Sequence, residues 1–222
     1  MSRKGFTLAE ILITLTVIGV VAALTIPTLL QKTNDAELKT ALKRQYANWQ
    51  QAFYELSADN AGIEEVFSGD GSPSADANSM NAFLAKLSYI KNCGTGKGCW
   101  YDTEQKYLGG SFVRYFDTAY NGNFGKAILT DGSMIAINEL PGVCNSGVGL
   151  GDEVLNGQGC AVLYIDVNGA KPPNTEGKDF FLFWITKSGI YPSGSHGDGI
   201  TCEPDSNTWQ TDQGCAAKYL SE

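Results

Sequence analysis

The sequence predicts an α+β protein, with a long apolar N-terminal helix followed by a globular domain that holds its strands and its cysteines. Three observations lead there. Between Phe6 and Leu30 the only ionisable side chain is Glu10. Past that run, apolar residues continue at helical spacing to about Ala58. From Ser111 onward, short apolar runs alternate with Gly-, Asn- and Asp-containing turns.

The 222 residues allow one good-sized domain plus an anchor. Gly is abundant at 26 residues, charge is low at 18% and aromatics make up 11%, a mix that suits a loop-rich domain with a real core. The net charge of −8 does not supply the basic surface that general nucleic-acid binding needs. Arg3 and Lys4 precede the apolar run and the acids lie almost entirely beyond it, so anchor and domain are distinct physical objects.

Phe6–Leu30 is 25 residues long, which at helical rise gives roughly 37 Å, enough to cross a hydrocarbon core of about 30 Å. Arg3 and Lys4 place the N-terminus in the cytoplasm and the rest outside. A secretory signal cut after Val21–Ala23 and a passive anchor are the plain alternatives. Glu10 argues against both, because a carboxylate inside a membrane segment is costly and has no use in either. Pro27 lacks an amide hydrogen and clashes with the carbonyl of Ala23, so a kink or local opening is expected there.

After Pro27 an apolar stripe of Leu38, Leu42, Tyr46, Trp49, Phe53 and Leu56 is expected to pack on the domain. Residues Ala58–Ala77 read as a loop, and Ser79–Ile90 as a short helix with Met80, Phe83, Leu84 and Leu87 inward. Ala127–Leu129 and Met134–Ile137 flank an Asp131-Gly132 hairpin signal. Ala161–Val167, Phe180–Thr186 and a piece near Ile190 read as further strands, and Ala216–Leu220 as a final helical turn.

Cys93, Cys99, Cys144, Cys160, Cys202 and Cys215 form an even set outside the anchor, which reads as disulfides in an oxidising compartment. Zinc spacing is absent: there is no C-x-x-C, and His196 is the single histidine. Pairing of sequential neighbours is expected, because short loops are easiest to close. No catalytic constellation is evident, and His196 reads as a loop residue, so no enzymatic activity is expected. Asp166-Val167-Asn168-Gly169, with Asp179 at the return of the loop, resembles the opening of a calcium loop without its bidentate Glu. An Asn-Gly turn is the simpler reading, so no cofactor is assigned; Asp166, Asn168 and Asp179 stand as calcium candidates.

Lys4-Gly5-Phe6-Thr7-Leu8-Ala9-Glu10, running straight into an apolar helix, resembles the class III signal of type IV pilins and type II secretion pseudopilins. The resemblance covers about the first thirty residues. It implies a leader at residues 1–5, a transmembrane and filament-core helix at 6–30, and an extracytoplasmic pilin-like domain at 31–222, in which the helix lies against a small antiparallel sheet. It further implies cleavage between Gly5 and Phe6 by a prepilin peptidase, N-methylation of Phe6, and assembly roles for Glu10 and Pro27. The implied partners are copies of the chain, related pilins, the peptidase, an inner-membrane platform with its ATPase, and membrane lipid before assembly. The implied place is the bacterial inner membrane, then a periplasmic or surface filament. Secretion pseudopilus, surface pilus and DNA-uptake filament share this N-terminus. The rival is an anchored binding module that does not polymerise, for which exposed aromatics such as Trp100, Tyr101 or Trp209 would speak.

Overall fold

The computed structural model describes residues 5, 7–101, 104–114, 124–147, 156–203, 205, 208 and 212–222. It divides into two compact units, Met1–Glu37 and Leu38–Glu222. Helix α1, Leu8–Asp59, runs through both. It continues past Pro27, so the proline sits inside the helix and does not end it.

In the first unit the large apolar side chains are exposed, from Leu8 at 77% to Leu30 at 64%. The helix is long and apolar enough to cross a membrane. Its hydroxyls are matched internally: Thr14, Thr16, Thr25 and Thr28 each donate to a carbonyl three or four residues back. That removes their need for water, as a segment in hydrocarbon requires.

In the second unit the stripe is buried as its spacing predicts. Leu38, Leu42, Trp49, Phe53 and Leu56 are inside, with Tyr46 partly so. They pack on a six-stranded antiparallel sheet in the order β1-β4-β5-β6-β7-β8. Its strands are β1 Tyr89–Gly94, β4 Gly125–Leu129, β5 Met134–Glu139, β6 Gly159–Asp166, β7 Phe180–Thr186 and β8 Ile190–Pro192. A second, two-stranded sheet pairs β2 Gln105–Lys106 with β3 Phe112–Arg114. Leu163, Ile165, Phe181, Phe183 and Ile185 face α1. Val162, Leu182 and Trp184 form a smaller cluster with Leu140 and Ile200, and Phe180 joins Trp100, Tyr101 and Phe124. With both faces covered, β7 is buried at every residue and reads as a continuous apolar run.

The Asp131-Gly132 hairpin forms as expected, with Gly132 at φ +88. Its tip is tied to α1. Asp131 accepts from Arg44 at 2.7 Å and from Gln45 at 2.5 Å. Burial opposes ionisation there, but the Ser133 bonds and Arg44 outweigh it and hold the Asp131 carboxyl below its ordinary range.

The expected helix Ser79–Ile90 needs correction. Helix α2 is Pro73–Leu84, and Tyr89 begins a strand. Ser72 caps it through Ala75 N, and Pro73 fills a first-turn position where no amide hydrogen is needed. The stretch taken as loop also holds a 3₁₀ turn, Ile63–Val66. Helix α3, Cys215–Ser221, closes the chain.

Candidate functional site

Two places bear on function: the N-terminus of α1 and the loop between β6 and β7. At the first, Gly5 is exposed, and Phe6 lies outside the described residues. Thr7 and Glu10 form a reciprocal cap. Thr7 N and Thr7 Oγ1 both donate to Glu10 Oε2 at 2.8 Å, and Glu10 N donates back to Thr7 Oγ1 at 3.3 Å. This is the capping box of a Thr-x-x-Glu sequence, which satisfies donors that a helix start leaves open. The Thr7 spacing carried that signal, and sequence reasoning passed over it in favour of Glu10 alone. Glu10 is exposed on the isolated chain, so its Oε1 face is open to a further donor.

At the second place the structure brings Asp166 and Asp179 together at the two ends of the 166–179 loop, and both are buried. Asp166 accepts from Tyr101 OH at 3.0 Å and from Asn168 N at 3.2 Å. Asp179 accepts from Asn174 N at 2.8 Å and Thr175 N at 2.7 Å. Desolvation, reinforced by the Asp179 charge, pushes Asp166 well above the carboxylate range. Desolvation likewise lifts Asp179 to about 6, against the pull of the Thr175 and Asn174 amides. Burial also pushes the Tyr101 phenol up. Asn168 Nδ2 donates to Pro172 O at 3.3 Å, while its Oδ1 is buried without a partner.

For a hard cation this loop offers two carboxylates and one amide oxygen. Among the described residues, no three or more His, Cys, Asp or Glu side chains group closely enough to hold a metal, so any cation here would need amide and carbonyl oxygens. Tyr101 is a member of the site that the sequence did not assign, since nothing in spacing links residues 101 and 166.

Trp100 and Tyr101 are buried at 4% and 6% exposure, which corrects their reading as candidate exposed aromatics; both fill the sheet's second face. Trp209 lies outside the described residues. His196 stands in a loop at φ +52, edge-on to Tyr191 at 4.8 Å. Three disulfides join Cys93 to Cys99, Cys144 to Cys160 and Cys202 to Cys215.

The family model described as the prokaryotic N-terminal methylation motif matches residues 1–26. This is the prepilin-cleavage signature of type IV pilins and pseudopilins, and it makes the chain type IV pilin-like at its N-terminus. No curated protein and no solved structure matches the chain. Helix and motif together fit a membrane-anchored, single-pass protein.

Proposed function

We propose that this chain is a structural subunit of a type IV pilus-like or type II secretion pseudopilus filament, with assembly as its activity and no catalysis of its own. One observation carries the reading. The methylation motif opens a continuous helix that is bare and apolar up to residue 30 and buried in a domain core from Leu38. An apolar helix left exposed among the described residues needs lipid or other helices around it. The membrane supplies the first before assembly, and copies of the chain supply the second afterwards.

A prepilin peptidase cuts between Gly5 and Phe6 and methylates the new amine. That amine becomes a cation at the start of an apolar helix. In a filament core it requires an anion, because a buried charge is tolerable mainly when paired. Glu10 of a neighbouring copy provides one, and pairing at a fixed residue sets the axial register. The domain stays on the extracytoplasmic side, where its disulfides persist. The inner-membrane platform and ATPase act as the assembly partners.

Mass spectrometry of the mature chain tests this directly. The expected species begins at N-methylated Phe6. A chain starting near Ala23, or retaining Met1, overturns the reading. The non-polymerising binding module loses the support it sought from Trp100 and Tyr101, which lie inside the core.

A further inference from the structure

A cleft in the second unit lies apart from both places described above. One wall is a face of α1, where Arg44, Asn48 and Gln51 follow at spacings of four and three and so stack along the helix. The other wall is the tip of the β4–β5 hairpin, Thr130 and Asp131, together with the turn Lys86–Ser88 that follows α2. Ala52, Leu87 and Leu129 give it an apolar floor. The enclosed space is about 350 Å³, at the small end of the roughly 300–1,000 Å³ usual for small-molecule sites.

Ion pairs brace the cleft. Arg44 pairs with Asp131 at 2.7 Å, and Lys86 pairs with Asp59 at 2.5 Å. Thr130 N donates to Ser88 O at 3.1 Å and joins the two parts of the second wall. The site is therefore shaped before a ligand arrives, which lowers the ordering cost of binding.

The same bonds use up its charges. Each cation already has a carboxylate. Asp131 Oδ2 accepts from Arg44 and Gln45, while its Oδ1 accepts from Ser133 N at 3.1 Å and Ser133 Oγ at 2.7 Å. A charged ligand would have to compete with these pairs. A peptide strand would seek main-chain pairing, and a helix face with two turns offers no ladder.

What the cleft presents is neutral and polar. Asn48, Gln51, Ser88 and Thr130 are exposed along its rim. Gln51 Nε2 donates to Glu55 at 2.9 Å, so its Oε1 is left to accept. Gln45 is 1% exposed; its Nε2 is spent on Asp131 and Ser133, and its Oε1 has no partner. Amides and hydroxyls both donate and accept. Above an apolar floor, they match a ring that carries hydroxyls at its edge and C–H groups on its face.

We propose that this cleft binds a neutral carbohydrate of one or two rings, with Asn48, Gln51, Ser88 and Thr130 exchanging hydrogen bonds with its hydroxyls and Leu87 and Leu129 under its ring. This inference does not depend on filament assembly.

Nuclear magnetic resonance on the isotope-labelled full mature chain tests it, in alkylphosphocholine micelles that carry no sugar headgroup. The probes are glucose, N-acetylglucosamine, cellobiose and chitobiose, with a tetraglutamate peptide as the charged control. At least one sugar should shift the side-chain amide signals of Asn48 and Gln51 saturably, with a dissociation constant of about 1 mM or below. That affinity should be the same at low and high salt, because a neutral ligand is not screened. Asn48→Ala, an exposed change, should weaken it roughly tenfold when followed at Gln51, and Thr130→Val should weaken it less. The proposal is overturned if no sugar moves these signals, or if tetraglutamate moves them at lower concentration than any sugar. Sugar affinity that is unchanged in both variants overturns it as well.

Discussion

Thr7 and Glu10 hold each other at the first turn of α1, with two bonds of 2.8 Å from threonine to one carboxylate oxygen and one bond returning. Within a single chain this arrangement gives Glu10 partial compensation for the water it would lose in a membrane. In a filament, the Phe6 amine of a neighbour would add a full positive charge to the same carboxylate. Glu10→Leu makes the anchor more apolar, so membrane insertion should persist or improve. Incorporation into filaments should fall to background, because the neighbouring amine loses its anion. Thr7→Val should leave Glu10 in place and weaken incorporation less. Quantifying sheared filaments against membrane fractions checks this, and wild-type incorporation of the Leu variant would refute the pairing role.

Cleavage depends on the residue before the new terminus. Gly5 has no side chain to obstruct a protease, and among the described residues no atom beyond its chain neighbours lies within 4 Å of where its Cβ would stand. The chain's own fold would therefore tolerate a side chain that the peptidase would not. Gly5→Arg should accumulate as uncut precursor in the inner membrane, visible as a mass that retains the leader. Normal processing of that variant would contradict the cleavage reading.

Trp49 anchors α1 to the domain. It is 0% exposed, and its ring centroid lies 5.0 Å from that of Phe83 on α2. Trp49→Ala removes a large side chain from a filled site and should cost about 3–5 kcal/mol, read as a lower denaturation midpoint at unchanged slope. Tyr54, by contrast, is 62% exposed on the same helix, and Tyr54→Ala should shift the midpoint by less than about 0.5 kcal/mol.

The disulfides should all be present in chain exported past the membrane. Alkylation without reduction should then add no label to any of the six cysteines. The Cys144–Cys160 bridge spans 16 residues, a loop whose closure corresponds to roughly 3 kcal/mol in the chain-entropy account. The Cys144→Ala and Cys160→Ala double variant should melt correspondingly lower. Several labelled thiols in exported protein would contradict the compartment argument.

The elements that the sequence revealed are those with one dominant signal. The stripe from Leu38 to Leu56 has a helical period and a polar opposite face, and β7 is a continuous apolar run between turns. Helix α2 was misplaced because its first residues, Pro73 to Ser79, are small and polar, so the cap at Ser72 marks its start better than hydrophobicity does. Strand β1 escaped because both Tyr89 and Ile90 are exposed, which leaves no alternation to read. At the candidate sites, local motifs were legible and distant partners were not. Asp166 and Asn168 are two residues apart in sequence, whereas Tyr101 enters their network through tertiary packing. No spacing rule reaches across 65 residues.

The 166–179 loop yields the last prediction, and its sign follows from the raised carboxyls. Asp166 stands well above its ordinary value and Asp179 at about 6, so the folded chain holds these protons more tightly than the unfolded chain does. Their contribution to stability is therefore fully present below the unfolded carboxyl value near 3.9, and it declines as pH rises through about 6. A calcium ion bound by Asp166, Asn168 and Asp179 would reverse the loss, because it replaces the protons with a stronger positive charge and gives Asn168 Oδ1 a partner. Calcium and protons then compete, so the gain should be small at pH 5 and largest at pH 8. With calcium a hundredfold above its dissociation constant the gain is about 2.7 kcal/mol, several degrees in melting temperature for a domain of this size. Magnesium should substitute poorly, since it demands a tighter octahedral shell than this loop offers. Asp166→Ala should abolish the calcium effect. Equal melting temperatures with calcium and with chelator at pH 8 would refute the ion and leave protein donors, among them the Asn168, Asn174 and Thr175 amides and the Tyr101 hydroxyl, to hold the two carboxylates.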